Sequence, residues 1–188
     1  MAGRRTRRRR SFPGKIALLA MLILSAVLFF RWDNTALQVT ETTVSLANLP
    51  AGFDGCRLAV LSDLHGAEFG EDNADLFAAV LQAKPDYIFY LGDLEDRYRG
   101  PVPGYAETVA AGLAAIAPTY YVTGNHEWAI GDVPQLKERL RENGVTVLSN
   151  QFVPLERNGD IIILAGIDDP NGYADQETPE ELAAELTA

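Results

Sequence analysis

Apolar runs that end abruptly in polar side chains recur three times along the chain. The runs read LAVLSDLH (58–65), YIFYLGD (87–93) and YYVTGNH (120–126). Their polar ends are Asp63 and His65, then Asp93, then Asn125 and His126. Intervals of 30 residues from Asp63 to Asp93 and 32 residues from Asp93 to Asn125 leave room for a helix between successive strands.

The hydrophobic periodicity around these runs predicts short strands alternating with helices. Strands are predicted at 37–46, 57–61, 87–91, 119–122 and 145–148, and helices at 72–83, 106–117 and 133–143. Asp72 or Asn73 is predicted to cap the first of these helices. Asn158 and Gly159, between residues 152–156 and 161–165, indicate a hairpin, and a capping box at Thr178 opens a last helix. This order predicts an α/β fold with a mainly parallel sheet, in which ligands gather where the strands end.

The first 32 residues have the pattern of a membrane leader. Residues 4–10 read RRTRRRR, and no charge interrupts the fifteen residues from 16 to 30. Although a bilayer span needs roughly 20 residues, we interpret residues 1–15 as a basic cytoplasmic leader and residues 16–32 as a transmembrane signal anchor. A cleaved signal peptide and a buried soluble helix are the alternatives.

The positive-inside rule then gives a single-pass protein of the cell membrane, with its domain of residues 37–188 on the extracytoplasmic side. Arg9 and Arg10, followed by Ser11 and Phe12, are similar to a twin-arginine export signal. That similarity predicts export of a folded domain.

Charge is distributed very unevenly along the chain. Eight of the 16 basic residues precede Trp32, whereas all 26 acidic residues follow it, which leaves a net charge of −18 after Arg31. A domain this acidic is not expected to bind nucleic acid through phosphate contacts. Cys56 is the only cysteine, so the chain forms no internal disulfide, and the only two histidines both lie in the polar run ends.

The residue types at the three run ends suit a transition-metal site. Asp63 and His65 combine a carboxylate with an imidazole, a pair that favours Zn, Mn or Fe over Ca. The carboxylate of Asp93 has two oxygens and could bridge two ions, while Asn125 offers a neutral oxygen. His126 could donate a proton or hold a phosphoryl oxygen. Each motif alone would also fit an ordinary turn, and it is their shared order that favours a site.

The segments SDLHG, GDLED and GNHE resemble the first three signature blocks of the calcineurin-like metallophosphoesterases. The leader and LPAGFDGCRLAVLSDLH resemble the bacterial exported, membrane-anchored branch, and the similarity covers residues 37–170. It implies a four-layered α/β/β/α sandwich around a dinuclear metal centre. It also implies hydrolysis of phosphate mono- and diesters by a metal-bound hydroxide.

The resemblance assigns a role to each of the five residues. Asp63 and His65 would bind the first metal, Asp93 would bridge both and Asn125 would bind the second. His126 would act beside the phosphoryl group. The two divalent ions would be Mn, Zn or Fe, and the substrate a phosphoester, with envelope lipids and nucleotide-sugar pyrophosphates as candidates.

The sequence departs from the family pattern in two ways. Glu95 stands where a hydrophobic residue is usual, and we interpret it as solvated, with Asp96 supporting the loop and Glu127 supporting the site. The family's later histidine ligands have no counterpart after His126.

We therefore expect a C-terminally truncated, incomplete sandwich with an uncovered sheet face or edge. We also expect low metal occupancy and weak or absent phosphodiesterase activity. A catalytically inactive, surface-anchored binding domain and a module that binds one metal are the alternatives.

Overall fold

The computed structural model describes residues 12–172 and 176–186, which divide into two units at Gln38 and Val39. The first unit contains helix α1, Phe12–Thr35, whose apolar side chains between Ile16 and Phe30 are exposed. No described helix combines the length and hydropathy needed to cross a membrane, so the predicted transmembrane helix of residues 16–32 is unsupported. The twin-arginine pair lies outside the described residues.

The second unit is built on a four-stranded parallel sheet with the sequential order β1-β2-β3-β4. The strands are β1 (Leu58–Leu61), β2 (Tyr87–Tyr90), β3 (Thr119–Tyr121) and β4 (Thr146–Val147). The central strand β2 is almost completely buried, because layers cover both faces of the sheet there. This confirms the prediction that continuous apolar runs form a mainly parallel sheet.

One face of the sheet is covered by helices. They are α2 (Ala74–Ala83), α3 (Tyr105–Ala114) and α5 (Val133–Glu142), and the short α4 (Asn125–Ile130) precedes α5. Leu76 of α2, Leu113 of α3 and Leu140 of α5 enter one apolar core with Ile88 and Tyr121 of the sheet. Each successive strand lies on the same side of the one before it, and β-α-β connections are right-handed. The connecting helices therefore lie on one face of the sheet.

The opposite face of the sheet is covered by the predicted hairpin. Strands β5 (Gln151–Arg157) and β6 (Asp160–Gly166) pair antiparallel, and Leu155 of β5 packs in a second core with Phe53 and Tyr87. Helix α6, Pro179–Glu185, begins at the predicted capping box, in which Thr178 and Glu181 exchange hydrogen bonds. The described layers are therefore helix, sheet and hairpin.

Two local predictions are wrong. Residues 37–46 alternate in polarity but form no strand, because no backbone hydrogen bond among the described residues pairs them with another extended segment. Asn73 precedes α2, but its side chain accepts a hydrogen bond from the Phe69 amide and leaves the helix uncapped. Helix α4 was not predicted.

Apolar side chains lie uncovered on the described part of both sheets, as expected. Leu58 and Val60 of the edge strand β1 are 51% and 59% exposed. Phe152, Ile161 and Ile163 are exposed together on the outer face of the hairpin, since their register places them on one side. Such surfaces are typical of regions that pair with further polypeptide.

The buried tyrosines predict how the domain responds to alkali. Burial raises the pKa of Tyr105 to about 12 and the pKa values of Tyr90 and Tyr121 well above their usual range. The unfolded chain releases these protons near pH 10, so the free energy of unfolding falls as pH rises above about 10. We expect phenolate absorbance and loss of circular dichroism to appear together.

The variant Tyr121→Phe removes one of these titrating groups and should raise the pH of alkaline unfolding. Gradual appearance of phenolate absorbance with unchanged circular dichroism would contradict the expected coupling.

Candidate metal centre

The three polar run ends meet because β1, β2 and β3 are neighbours in the sheet. The loop after β1 runs along the loop after β2, with the Asp63 amide donating to the Gly92 carbonyl at 3.1 Å and the His65 amide donating to the Asp93 carbonyl at 3.0 Å. These backbone hydrogen bonds continue the pairing of β1 with β2 beyond the strands, and they hold the loop after β1 against the loop after β2. The predicted gathering of these residues at one sheet edge is confirmed for His65, Asp93 and His126.

Both of these loops hold polar residues in a left-handed conformation. Asp63, His65 and Asp93 have φ values of 57°, 49° and 54°. Residues other than glycine rarely adopt this conformation, and when they do they concentrate at functional sites. In this conformation successive side chains do not alternate between two opposite faces, as they do in a strand.

The loops after β2 and β3 approach so closely that both need glycine. A Cβ atom on Gly92 would lie 2.2 Å from the Gly124 amide nitrogen, and one on Gly124 would lie 2.2 Å from Asp93 Oδ1. Gly92 also has a φ of 83°, which a larger residue would adopt only under strain. The two glycines let the third loop reach the Asp93 carboxylate.

His65, Asp93 and His126 form a compact cluster of possible ligands. One ligand atom from each lies within 4.8 Å of the others, and the two imidazole rings are 4.3 Å apart. Asp63 is more exposed, with its Oδ1 atom 3.6 Å from His65 Nε2. Asn125 is half-buried at the first residue of α4 and next to His126.

His65 provides a test of whether a metal ion fits here. Its Nδ1 atom is buried without a hydrogen-bond partner among the described residues, and its Nε2 atom lies between the carboxylates of Asp63 and Asp93. A buried nitrogen without a partner is unfavourable unless something binds it. Imidazole nitrogens beside two carboxylates suit divalent transition metals, so the residues present fit such an ion.

His126 is held differently from His65. Its amide donates to Asp93 Oδ1 at 2.9 Å, and its Nδ1 atom accepts a hydrogen bond from the Arg97 amide at 3.1 Å. Because Nδ1 accepts, the proton of the neutral ring is assigned to Nε2. His126 therefore presents a donor at Nε2 in this arrangement, whereas His65 has a nitrogen without a partner.

Glu127 holds the loop after β2 and the loop after β3 together. Its carboxylate accepts from the amides of Asp93 at 2.9 Å, Gly124 at 2.8 Å and Glu95 at 3.2 Å. The side chain is only 1% exposed, and burial raises its pKa although the three amide donors lower it. The prediction that Glu127 supports the site is confirmed by these contacts.

Comparison with known proteins assigns the chain to a family. The model of the calcineurin-like phosphoesterases matches residues 56–185, which include all three loops. The chain belongs to the calcineurin-like phosphoesterase family. The resemblance inferred from SDLHG, GDLED and GNHE is confirmed at this level, and membership suggests a phosphoester hydrolase that binds metal.

Curated relatives carry the same domain within longer proteins. A transmembrane protein with metallophosphoesterase domain from Danio rerio is 30% identical over 81% of this chain and 36% of its own length. The Bos taurus protein of the same name is 31% identical over 82% and 38%. The uncharacterized metallophosphoesterase YkuE of Bacillus subtilis is 26% identical over 71% and 48%. The chain thus spans about a third to a half of these relatives.

Glu95, at its unusual position in the family pattern, was predicted to be solvated, and that prediction is wrong. Its side chain is 3% exposed, burial raises its pKa, and Arg139 of α5 lies 3.6 Å from its carboxylate. The neighbouring Asp96 accepts from the Tyr98 amide at 2.8 Å, a bond that lowers its pKa. Asp96 therefore supports the loop as predicted.

A buried polar network behind the third loop was missed from the sequence. It consists of Thr123, Trp128, Lys137, Ser149 and Asp168, joined by hydrogen bonds and one ion pair. One signal was available, because Lys137 falls at a core position of α5, beside Leu136 and Leu140. A lysine at an apolar position predicts a buried partner.

Proposed function

We propose that this member of the family hydrolyses phosphoesters at a dinuclear metal site. Asp63 and His65 would hold the first ion, Asp93 would be shared and Asn125 would contribute to the second. The observation that carries the proposal is that one side-chain atom each of His65, Asp93 and His126 lies within 4.8 Å of the others, which brings two of the proposed ligands and the proposed proton donor together. Three loops far apart in sequence supply these groups, which a purely structural turn would not require.

The cofactors proposed are two divalent ions, Mn, Zn or Fe. When bound, such ions polarise phosphoryl oxygens and lower the pKa of water toward about 7. The chain contributes the ligands and their rigidity: backbone bonds hold the Asp63 and His65 loop, and the Glu127 carboxylate holds the Asp93 and Gly124 amides. A rigid first set of ligands reduces the reorganisation that binding would otherwise need.

His126 is proposed to donate a proton to the leaving oxygen, or a hydrogen bond to a phosphoryl oxygen, from Nε2. Support comes from the Arg97 amide, which occupies Nδ1 and fixes the tautomer. The Asp93 carboxylate fixes the position of the His126 amide. Proton transfer by a positioned histidine typically contributes about 10²–10⁴-fold to a rate.

The alternative of an inactive binding domain is not favoured. The cluster of ligand atoms is assembled, and the relatives carry the name metallophosphoesterase. Asp63, His65 and Asp93 also adopt left-handed conformations, which concentrate at functional sites.

Substrate and location are proposed on narrower grounds. Two relatives are named transmembrane proteins, and the apolar side chains of α1 are exposed, which supports association with a membrane. The basic residues before α1 favour an extracytoplasmic domain. A phosphoester of the cell envelope, lipid or nucleotide-sugar, is the substrate class that such a location would offer.

Matched asparagine variants of the two histidines test the proposal. Asparagine Oδ1 can replace Nδ1 as the acceptor for the Arg97 amide, so His126→Asn deletes Nε2 and little else. We expect His126→Asn to retain Mn²⁺ affinity while kcat for p-nitrophenyl phosphates falls about 100-fold or more. We expect His65→Asn to weaken Mn²⁺ binding, measured by titration calorimetry, by at least about 10-fold.

Equal losses of affinity in the two variants would make His126 a ligand and refute its role as donor. Absence of both Mn²⁺ binding and hydrolysis in the unaltered chain would refute the proposed function itself.

A further inference from the structure

The loop that carries His126 is anchored from behind by a hydroxyl group. Thr123 stands three residues before His126, and its Oγ1 atom donates to Asp168 Oδ1 at 2.6 Å. The same Oγ1 accepts from Trp128 Nε1 at 2.9 Å. Because Trp128 lies in α4, the Thr123 hydroxyl connects the segment before this helix both to a side chain within the helix and to Asp168, two residues after β6.

The acid that receives this hydroxyl is itself firmly held. Asp168 is 4% exposed, and its Oδ2 atom accepts from Lys137 Nζ at 2.7 Å and from Ser149 Oγ at 2.5 Å. The Asp168 amide donates to Asn150 Oδ1 at 3.0 Å. Donors from the segment after β3, from α5 and from the segment after β4 therefore converge on the Asp168 carboxylate, which lies two residues after β6.

The charges of this network balance within the core. Lys137 is 8% exposed, contacts Ser149 Oγ as well as Asp168, and lies 5.4 Å from the centre of the Trp128 ring. A buried ammonium with a carboxylate, a hydroxyl and an aromatic face around it has partners for each of its protons. Such a network is rigid because a member that moves breaks a hydrogen bond to at least one of its neighbours.

The network also compensates for the shortness of α4. A helix of six residues is too short to be stable alone. Its start is held by Glu127, which binds the Gly124 amide, and by Thr123, which binds Trp128. Asn125 and His126 lie between these two anchors, so their positions depend on both.

We propose that Asp168, fixed by Lys137 and Ser149, positions Asn125 and His126 for metal binding and catalysis through the Thr123 hydroxyl. The predicted effect of this network on metal affinity and turnover rests on the proposed function. Its predicted effect on the position of the loop does not. Asp168 and Thr123 are positioning residues, since no hydrogen bond among the described residues joins either of them to His65, Asp93 or His126.

The matched variants Thr123→Val and Thr123→Ser separate the hydroxyl from its volume. Valine keeps the shape of threonine and removes the donor to Asp168, whereas serine keeps the donor. The chain contains two histidines, so selective ¹⁵N-histidine labelling gives two backbone amide signals. We expect the His126 signal of Thr123→Val to shift or broaden in metal-free protein, while the His65 signal stays in place. Thr123→Ser should leave both signals as they are in the unaltered protein.

Metal binding gives the second measurement, made on the full chain in mild detergent because α1 exposes apolar side chains. Residues that support ligands typically change metal affinity by about 10–100-fold, so Thr123→Val should weaken Mn²⁺ binding by about 10-fold and Thr123→Ser should not. An unmoved His126 amide signal with a lower melting temperature would mean that the network only stabilises the fold, and would overturn the inference.

The two hypotheses fail in different ways. Unaltered protein that binds no Mn²⁺ refutes the proposed function, and the amide signals of the metal-free variants still decide whether Thr123 positions His126. Unaltered protein that binds Mn²⁺, with equal affinity in Thr123→Val, refutes the positioning role alone.

Discussion

Replacing Asp93 by Asn is expected to lower divalent metal affinity by more than about 100-fold, beyond the range typical of residues that only support a ligand. Hydrolysis should be lost with it. Asp93 follows the central strand β2, is 9% exposed and is the only carboxylate in the cluster with His65 and His126. A nearly buried carboxylate attracts a cation much more strongly than an amide does, because little water screens it.

Asparagine retains an oxygen that can accept the His126 amide, so the loop should keep its geometry. Titration calorimetry with Mn²⁺ and elemental analysis of dialysed protein give the affinity and the number of ions per chain. Asp96→Asn is the matched control, because Asp96 lies in the same loop but bonds to the Tyr98 amide. Two ions retained by Asp93→Asn would rule out a shared ligand at this position.

Replacing Glu127 by Ala should be among the most destabilising single changes in the domain. The substitution leaves the amides of Asp93, Gly124 and Glu95 without their acceptor in a region closed to water. Each buried group left unpaired costs about 1–3 kcal/mol, so the free energy of unfolding should fall by roughly 3 kcal/mol or more. Urea denaturation followed by circular dichroism measures the change.

Glu127→Gln is the matched variant for this experiment. One oxygen remains and can still accept from Asp93 and Gly124, but the new amide group faces the Glu95 amide as a second donor. We expect a loss of about 1–2 kcal/mol, between wild type and alanine. Equal stabilities of the alanine variant and wild type would show that water reaches the three amides and that Glu127 does not hold the loops.

The parts of the site predicted from sequence are those that local pattern determines. Buried parallel strands are continuous apolar runs, so β1, β2 and β3 were predicted to within about a residue, and the sheet edge brings their ends together. Strand 37–46 failed because a strand also needs a neighbour, which a sequence pattern does not supply. Helix α4 was missed because six residues show too little periodicity to distinguish a helix from a loop.

The supporting contacts could not be predicted, since they join residues distant in sequence. Glu95 is buried because Arg139, on a helix 44 positions further along, reaches it. Asp168 lies 45 residues beyond Thr123, and nothing in the sequence near either residue indicates the other. Local patterns therefore identified the groups that face a ligand, whereas the groups that orient them became visible only in the folded chain.

The left-handed conformations of Asp63, His65 and Asp93 give the site a thermodynamic cost that can be separated from its chemistry. Each such residue destabilises the fold by about 1 kcal/mol or more relative to a relaxed backbone, and glycine would relieve that strain at any of the three. A library of this domain selected for folding alone should accumulate glycine at these positions and lose metal binding as it does so. Selection for stability and selection for metal binding would thus favour different residues at the same three positions.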